Sequence, residues 1–241
     1  MEVPHLRYDP QSSFLQWGYF DQLYDHILEL IIALPDRPDL SELSVLDIGC
    51  GRGEILKKLA NRGINCVGLD LDPVCVKRSS QYAHCVQGDA AHAADYFREN
   101  SFDVVIASHI LEHLPSPISA IEQMKLVSKR WLILAVPNLS SVDSLGGEWY
   151  KYWKNKLHVN PNHVYGWNRS HFIVFLEKHC GLNIFKMPSD IVLFPLPKPV
   201  YEVAYPLLEP LLKILTYPFP TFGSSLLVLC EIANTGNHAN K

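Results

Sequence analysis

Hydrophobic positions along the chain fall into two alternating kinds of segment: short, nearly continuous apolar runs, and longer stretches with apolar residues three or four apart. The short runs predict strands buried on both faces. They are SVLDIG (44–49), NCVGLD (65–70), HCVQGD (84–89), FDVVIAS (102–108) and RWLILAV (130–136), with two later ones at LNIFKM and SLLVLCEI. The longer stretches predict helices with matching end signals. Leu23, Ile27, Leu30, Ile31 and Leu34 line one face of a leading helix from Tyr19 to Leu34 that Pro35 stops. Gly63 closes a helix carrying Leu56, Leu59 and Ala60, Asp72-Pro73 supplies an N-cap and first-turn proline, and Ser116-Pro117 opens ISAIEQMKLVSK. A further helix, SHFIVFLEKHC (170–180), ends at Gly181. Five strand-helix units in series followed by two strands predict an α/β fold, a doubly wound, mostly parallel seven-stranded sheet with helices on both faces.

One stretch breaks the pattern. Residues 191–230 carry only Lys198, Glu202, Glu209 and Lys213 as charges, yet hold seven of the 17 prolines. Prolines at that density forbid one long helix. We expect an irregular apolar insertion over 191–224 before the last strand, with a short helix near Tyr205 to Leu215.

Composition narrows the class. At 241 residues with 48% hydrophobic and 19% charged content, the chain can bury one sizeable core and is not disordered. A net charge of −4 argues against coating nucleic acid by bulk charge. The six cysteines form no C-x-x-C pair, and several sit in apolar runs, which fits reduced core thiols. No apolar run reaches the length of a membrane span, and the N-terminus has no secretory pattern, so the expected location is cytoplasmic.

The chemistry concentrates where strands end. Asp47-Ile48-Gly49-Cys50-Gly51-Arg52-Gly53 lies between a strand and a helix, where glycines let backbone turn sharply and approach a ligand. The dinucleotide pattern G-x-G-x-x-G fails in both registers, because Glu54 and Leu56 stand where the third glycine would be. Glu54 at the helix start would repel a pyrophosphate, so a ligand without phosphates is expected. Asp70, at the end of the second strand, can accept hydrogen bonds from both hydroxyls of a ribose, and Asp89, after the third, from an exocyclic amine. The ligand is then a nucleoside with a non-phosphate tail.

VLDIGCGRGE, GLDLDP, QGDA and FDVVIASHILEHLP stand in the order and spacing of the class I S-adenosylmethionine-dependent methyltransferases, and roughly residues 40 to 190 resemble that family. The resemblance is to its ubiquinone/menaquinone-type and small-molecule group in particular. It implies a Rossmann-like sheet and S-adenosyl-L-methionine as methyl donor, released as S-adenosyl-L-homocysteine. Asp47, Gly49, Cys50, Gly51 and Gly53 would line the methionine part, Asp70 and Leu71 the ribose, and Asp89 with Ala90 the adenine. Ser108 and His109 would border the sulfonium and its methyl group. In these terms residues 1–241 form a single domain: an N-terminal helical cap (1–40), a cofactor-binding core (41–138), a lid (139–169) and a C-terminal part (170–241).

His109-Ile-Leu-Glu112-His113 also matches H-x-x-E-H, the inverted zinc-peptidase pattern. The motif follows a buried strand directly, Pro115 and Pro117 cut off a supporting helix, and no second motif offers a third ligand, so no metal is expected. Within the methyltransferase reading, a base is needed when the acceptor is a hydroxyl, and His113 and His163 are the candidates. The competing reading of His113 is a structural histidine bonded to backbone carbonyls. The lid carries Trp149, Tyr150, Tyr152, Trp153, Tyr165 and Trp167, has Gly146-Gly147 as a hinge, and bears a net charge of +3 over 148–169. Such a surface suits a small-molecule or lipid-linked acceptor with anionic character; an RNA acceptor is the weaker reading. The apolar 191–224 segment could bury an acceptor, make a peripheral membrane contact or pair with another chain, and periodicity does not separate these. The expected activity is methyl transfer to oxygen. A cofactor-binding partner subunit without turnover is the alternative from a different class.

Overall fold

The computed structural model describes residues 19–35, 39–141, 144, 162–188, 207 and 223–233. Seven strands, β1 (Ser44–Ile48), β2 (Asn65–Asp70), β3 (His84–Gln87), β4 (Phe102–Ser108), β5 (Ser128–Pro137), β6 (Leu182–Lys186) and β7 (Ser225–Ile232), form one sheet in the order β3-β2-β1-β4-β5-β7-β6. All neighbours pair in parallel except β7, which runs antiparallel to both β5 and β6. The Rossmann-like, mostly parallel seven-stranded sheet expected from the pattern is present.

Period-two alternation of a pleated strand assigns side chains to two separate cores. Leu46 and Ile48 of β1, Val105 and Ala107 of β4, Leu132, Leu134 and Val136 of β5, and Leu226, Val228 and Cys230 of β7 face one layer with Ile121, Met124, Phe172 and Leu176. Val45, Val104, Ile106, Ile133, Leu227 and Leu229 face the other, against Leu23, Ile27, Ile31 and Leu59.

Those two layers are where the helices lie. α1 (Tyr19–Ile32) and α2 (Glu54–Ala60) cover the second face, while α5 (Pro117–Val127) and α6 (Arg169–Val174) cover the first. Between them in sequence come α3 (Pro73–Ser79) and the single turn α4 (Ala93–Tyr96). The end signals act as expected. Asp72 accepts from the Val74 N–H at 2.8 Å with Pro73 in the first turn, and the Ser116 hydroxyl accepts from the Ser119 N–H at 3.4 Å. Asn168, which carries no such expectation from the pattern, caps α6 by accepting from the His171 N–H at 2.9 Å.

Several boundaries differ from expectation, three of them for a visible reason. β3 stops at Gln87 because the Gly88 N–H turns to the Asp70 carbonyl (2.9 Å) and Asp89 then caps a short turn. α5 ends at Val127, since Ser128 is already extended (φ −91°, ψ 138°) and starts β5. The helix expected over 170–180 widens after Val174 into a π turn, Phe175–His179, before Gly181 leaves it at φ 62°. Residues 1–18, most of the lid including Gly146-Gly147 and Trp149 to Trp153, and the insertion apart from Leu207, Gly223 and Ser224 lie outside the described residues. No described helix is long and apolar enough to cross a membrane.

Candidate active site

The sheet order reverses between β1 and β4, and the carboxyl ends of those two strands open the crevice where ligands of such sheets bind. The glycine loop leaves β1 there. Gly49, Gly51 and Gly53 all have positive φ (73°, 54° and 82°), a conformation costly for any residue with a Cβ. A Cβ at Gly53 would stand 2.9 Å from the Ser79 backbone, so this glycine serves packing. One at Gly51 would meet nothing within 4 Å: it borders open space, as a residue lining a ligand should. Cys50 is buried, with its Sγ 3.6 Å from the Ser79 hydroxyl. Burial raises the pKa of its thiol, which makes it a packing group rather than a nucleophile.

Asp70 holds the loop. Its Oδ2 accepts from the Gly51 N–H at 2.8 Å and its Oδ1 from the Asp72 N–H at 2.9 Å. Two of roughly four lone-pair positions are thus used, and the rest can meet a pair of ribose hydroxyls. Burial raises its pKa, against the lowering effect of these two backbone donors. Asp47 is fully buried beneath the loop, and burial, then the charges of Asp70 and Glu54, hold its pKa well above the ordinary value. Arg52 pairs with Glu54 at 3.0 Å, which softens the repulsion expected from that glutamate.

Asp89 is committed on one side, accepting from the Ala91 N–H at 2.9 Å beside buried Ala90. Leu71 is 60% exposed and presents an apolar surface next to Asp70. At the end of β4 the Ser108 hydroxyl is buried and without a hydrogen-bond partner, a costly state that a bound polar group would relieve. An open glycine, a carboxylate with spare acceptor positions and an orphaned hydroxyl, all at one switch point, fit a nucleoside carrying a polar, non-phosphate tail.

The chain then turns sharply. His109 has φ 54°, its N–H donates to the Ala135 carbonyl at 2.8 Å, and its Nε2 lies 2.7 Å from the Ser225 hydroxyl. Burial, then His163 and His113, lower its pKa to about 3, so it is neutral and shapes the pocket. Leu111–His113 is one 3-10 turn, not the long helix of a zinc peptidase.

Glu112 is the residue that sequence reasoning passed over as a site residue, although the H-x-x-E-H match contained it. It is 1% exposed, both carboxylate oxygens lack hydrogen-bond partners, and burial raises its pKa to about 8. Its Oε1 stands 3.5 Å from His109 Nδ1 and 3.9 Å from His113 Nε2. The two candidate histidines, far apart in sequence, do meet: the His113 and His163 rings pack edge to face with centroids 4.7 Å apart. The Val164 and Tyr165 N–H groups donate to the Glu112 carbonyl at 2.8 and 3.2 Å, which seats the His163 segment. His113 Nδ1 lies 3.0 Å from the Asn162 carbonyl. A carbonyl only accepts, so Nδ1 carries the proton and Nε2 keeps its lone pair toward Glu112. The carbonyl bond of the structural reading is therefore real, and it orients the ring. Burial lowers the pKa of His113 and, with His113 beside it, takes His163 to about 4. One potential ligand atom each from Glu112, His113 and His163 lie within 4.8 Å of one another, so a third donor, which no second motif offered, comes from the end of the segment expected as a lid.

Comparison with known proteins identifies the family. The model of a family described as a methyltransferase domain matches residues 10–182. A ubiquinone biosynthesis O-methyltransferase from Nitrosomonas europaea is 28% identical over 149 residues, which is 57% of this chain and 60% of that protein. One from Pseudomonas aeruginosa is 37% identical over 94 residues, 36% of this chain and 40% of that protein. The chain thus spans about half the length of the curated relatives it matches. Among solved structures, the magnesium protoporphyrin IX methyltransferase from Synechocystis PCC 6803 with bound SAH superposes with a TM-score of 0.61 at 17% identity, covering 94% of this chain and 90% of the other. A SAM-dependent methyltransferase from Archaeoglobus fulgidus superposes at 0.57 with 19% identity, covering 91% and 100%.

Proposed function

The chain belongs to the methyltransferase-domain family, as a class I, S-adenosylmethionine-dependent member, and on that premise we propose that it methylates a hydroxyl oxygen of a small molecule with an apolar body. The observation that carries this reading is the meeting of His113, His163 and Glu112 immediately beyond Ser108, where a proton-handling group is needed only if the acceptor has a proton to lose. S-adenosylmethionine, when bound, supplies a methyl carbon activated by a sulfonium, and the C–S electron pair stays with sulfur. The chain's own residues orient and exclude water. Asp70 accepts from the ribose, Ser108 meets the polar edge near the methyl group, and His109 fixes the turn so that Glu112 and His113 follow at a set distance. The hydroxyl proton passes to the Glu112-His113-His163 cluster or through it to solvent as the new C–O bond forms.

Leu139, Val164 and Tyr165 are 49%, 63% and 40% exposed. The Leu139 N–H donates to the Trp167 carbonyl and its side chain lies against Gly166, next in sequence to Val164 and Tyr165. These exposed apolar side chains support an acceptor carrying a ring or lipid tail, as does the similarity to O-methyltransferases of ubiquinone biosynthesis. The test is release of S-adenosylhomocysteine across a panel of hydroxylated aromatics, polyprenyl-linked and glycan acceptors and RNA. Turnover confined to hydroxylated aromatic or prenylated compounds supports the proposal. Turnover on RNA alone, or tight cofactor binding with no turnover on any member, would sink it.

A further inference from the structure

The Glu112-His113-His163 cluster has features that acceptor binding by itself does not require. A buried carboxylate with two unpartnered oxygens is an expensive arrangement, and here it faces imidazoles rather than an arginine or lysine. The His113 ring is held by its Nδ1–H on the Asn162 carbonyl, the outer hydrogen bond that metal-ligating histidines use to present Nε2. Two nitrogens and one carboxylate oxygen, gathered from two segments, complete a facial set. A four-coordinate ion with bonds of about 2.1 Å needs donors roughly 3.4 Å apart, so side-chain closure of at most about 1.4 Å from the present 4.8 Å limit suffices. Three protein ligands leave a coordination position open.

We infer that Glu112, His113 and His163 bind one divalent transition-metal ion, of the zinc, cobalt or manganese class, with a position open toward the acceptor. The imidazole donors favour these ions over magnesium or calcium. The ion-binding claim stands independently of the acceptor. The role we assign to the ion rests on the O-methylation reading: it takes the acceptor oxygen and lowers the pKa of its hydroxyl, so that the proton leaves to solvent before oxygen attacks the methyl carbon. The imidazoles then act as ligands, and neither needs to be the base.

Chelator-treated protein titrated with Co2+ tests this, by calorimetry and by the visible absorption of the bound ion. The expected result is one equivalent bound, with dissociation constants raised about 100-fold or more in Glu112→Gln and His163→Ala, because even outer-sphere losses at metal sites cost roughly 10- to 100-fold. His92→Ala, a change at an exposed histidine elsewhere, should bind like the parent. Calorimetric binding of S-adenosylmethionine checks that each variant is folded. No saturable cobalt site in the parent overturns the inference, as does unchanged cobalt binding in a variant combining Glu112→Gln with His163→Ala that still takes up the cofactor. If cobalt binds as expected but no hydroxylated acceptor turns over, the site stands and the O-methylation reading fails. If turnover on such an acceptor survives chelation undiminished, the role given to the ion is wrong.

Discussion

Replacing Asp70 by alanine separates cofactor recognition from folding. The carboxylate holds the Gly51 and Asp72 N–H groups at 2.8 and 2.9 Å, and in the proposed role its remaining acceptor positions take the two ribose hydroxyls. Hydrogen bonds to a charged group are each worth about 1.5–3 kcal/mol. Taking the low end for two of them, the loss is about 3 kcal/mol, or roughly 150-fold in affinity. Stability should move less. Burial of the carboxylate raises its pKa, so its charge costs the empty protein something that the substitution relieves, while water can reach the two freed N–H groups from the open crevice. Isothermal calorimetry with S-adenosylmethionine, paired with thermal melts, reads both. Asp70→Asn should recover no more than about tenfold of the loss, because its amide nitrogen would oppose a backbone donor. An affinity for Asp70→Ala within about threefold of the parent, in a protein melting normally, would refute the placement of the ribose.

The same carboxylate predicts a pH dependence. Ribose donors favour its ionised form, so cofactor affinity is full above the pKa of Asp70 in the free protein and declines as pH falls through it. Because burial raises that pKa, the decline should begin above the range of an ordinary aspartate and vanish in Asp70→Asn. Gly53→Ala should fold poorly, since the left-handed conformation alone costs about 1–2 kcal/mol and its Cβ would also meet the Ser79 backbone, giving a Tm fall of roughly 5 °C or more. Gly51→Ala suffers only the conformational part, and its Cβ enters open space, so the larger effect should be on cofactor affinity; equal losses of stability in the two variants would contradict the assignment. Burial opposes ionisation of Asp103, but Lys129 at 2.8 Å and the Ser44 hydroxyl and N–H outweigh it and hold its pKa low. Its contribution is present above the unfolded-state pKa and lost as pH falls through the folded one. Lys129→Ala should therefore shrink the loss of stability on acidification, by no more than about 1 kcal/mol for so exposed a pair; an unchanged acid profile would remove this ion pair from the account.

Most of the local geometry around the glycine loop was legible because its signals are local. A glycine at positive φ, a carboxylate at a strand end and a proline in a first turn each act on residues a few positions away, and the apolar runs that give the strands are equally local. The order β5-β7-β6 is a matter of long-range pairing, which chain order alone does not dictate: the last strand enters between its two predecessors. A hint lay in composition, since SLLVLCEI is continuously apolar and becomes buried, whereas LNIFK alternates with polar residues and takes the half-exposed edge. Other features were set by packing. The π turn after Val174 has no composition signal, and Asn138, buried and donating from its Nδ2 to the Gly223 carbonyl at 2.7 Å, reads in sequence as an ordinary strand exit. It ties the start of the lid to the base of β7.

The acceptor half shows why a motif and its site can disagree. H-x-x-E-H suggests two histidines on one helix face with glutamate beside them, and the proline-broken context argues against a metal. The structure removes the helix, as that context requires, and with it the pairing of His109 and His113. His109 turns back to Ser225, held by a strained φ of 54°, and that rotation leaves Glu112 pointing inward with no hydrogen-bond partner for its carboxylate. The partner that replaces His109 comes from the other end of the lid, seated by two N–H groups on the Glu112 carbonyl. The turn after β4 thus meets the 162–165 segment twice, through the Glu112 backbone carbonyl and through the edge-to-face packing of His113 on His163. A change that releases Val164 and Tyr165 from the Glu112 carbonyl should therefore move His163 as well, so the geometry of the His113-His163 pair depends on these two backbone hydrogen bonds.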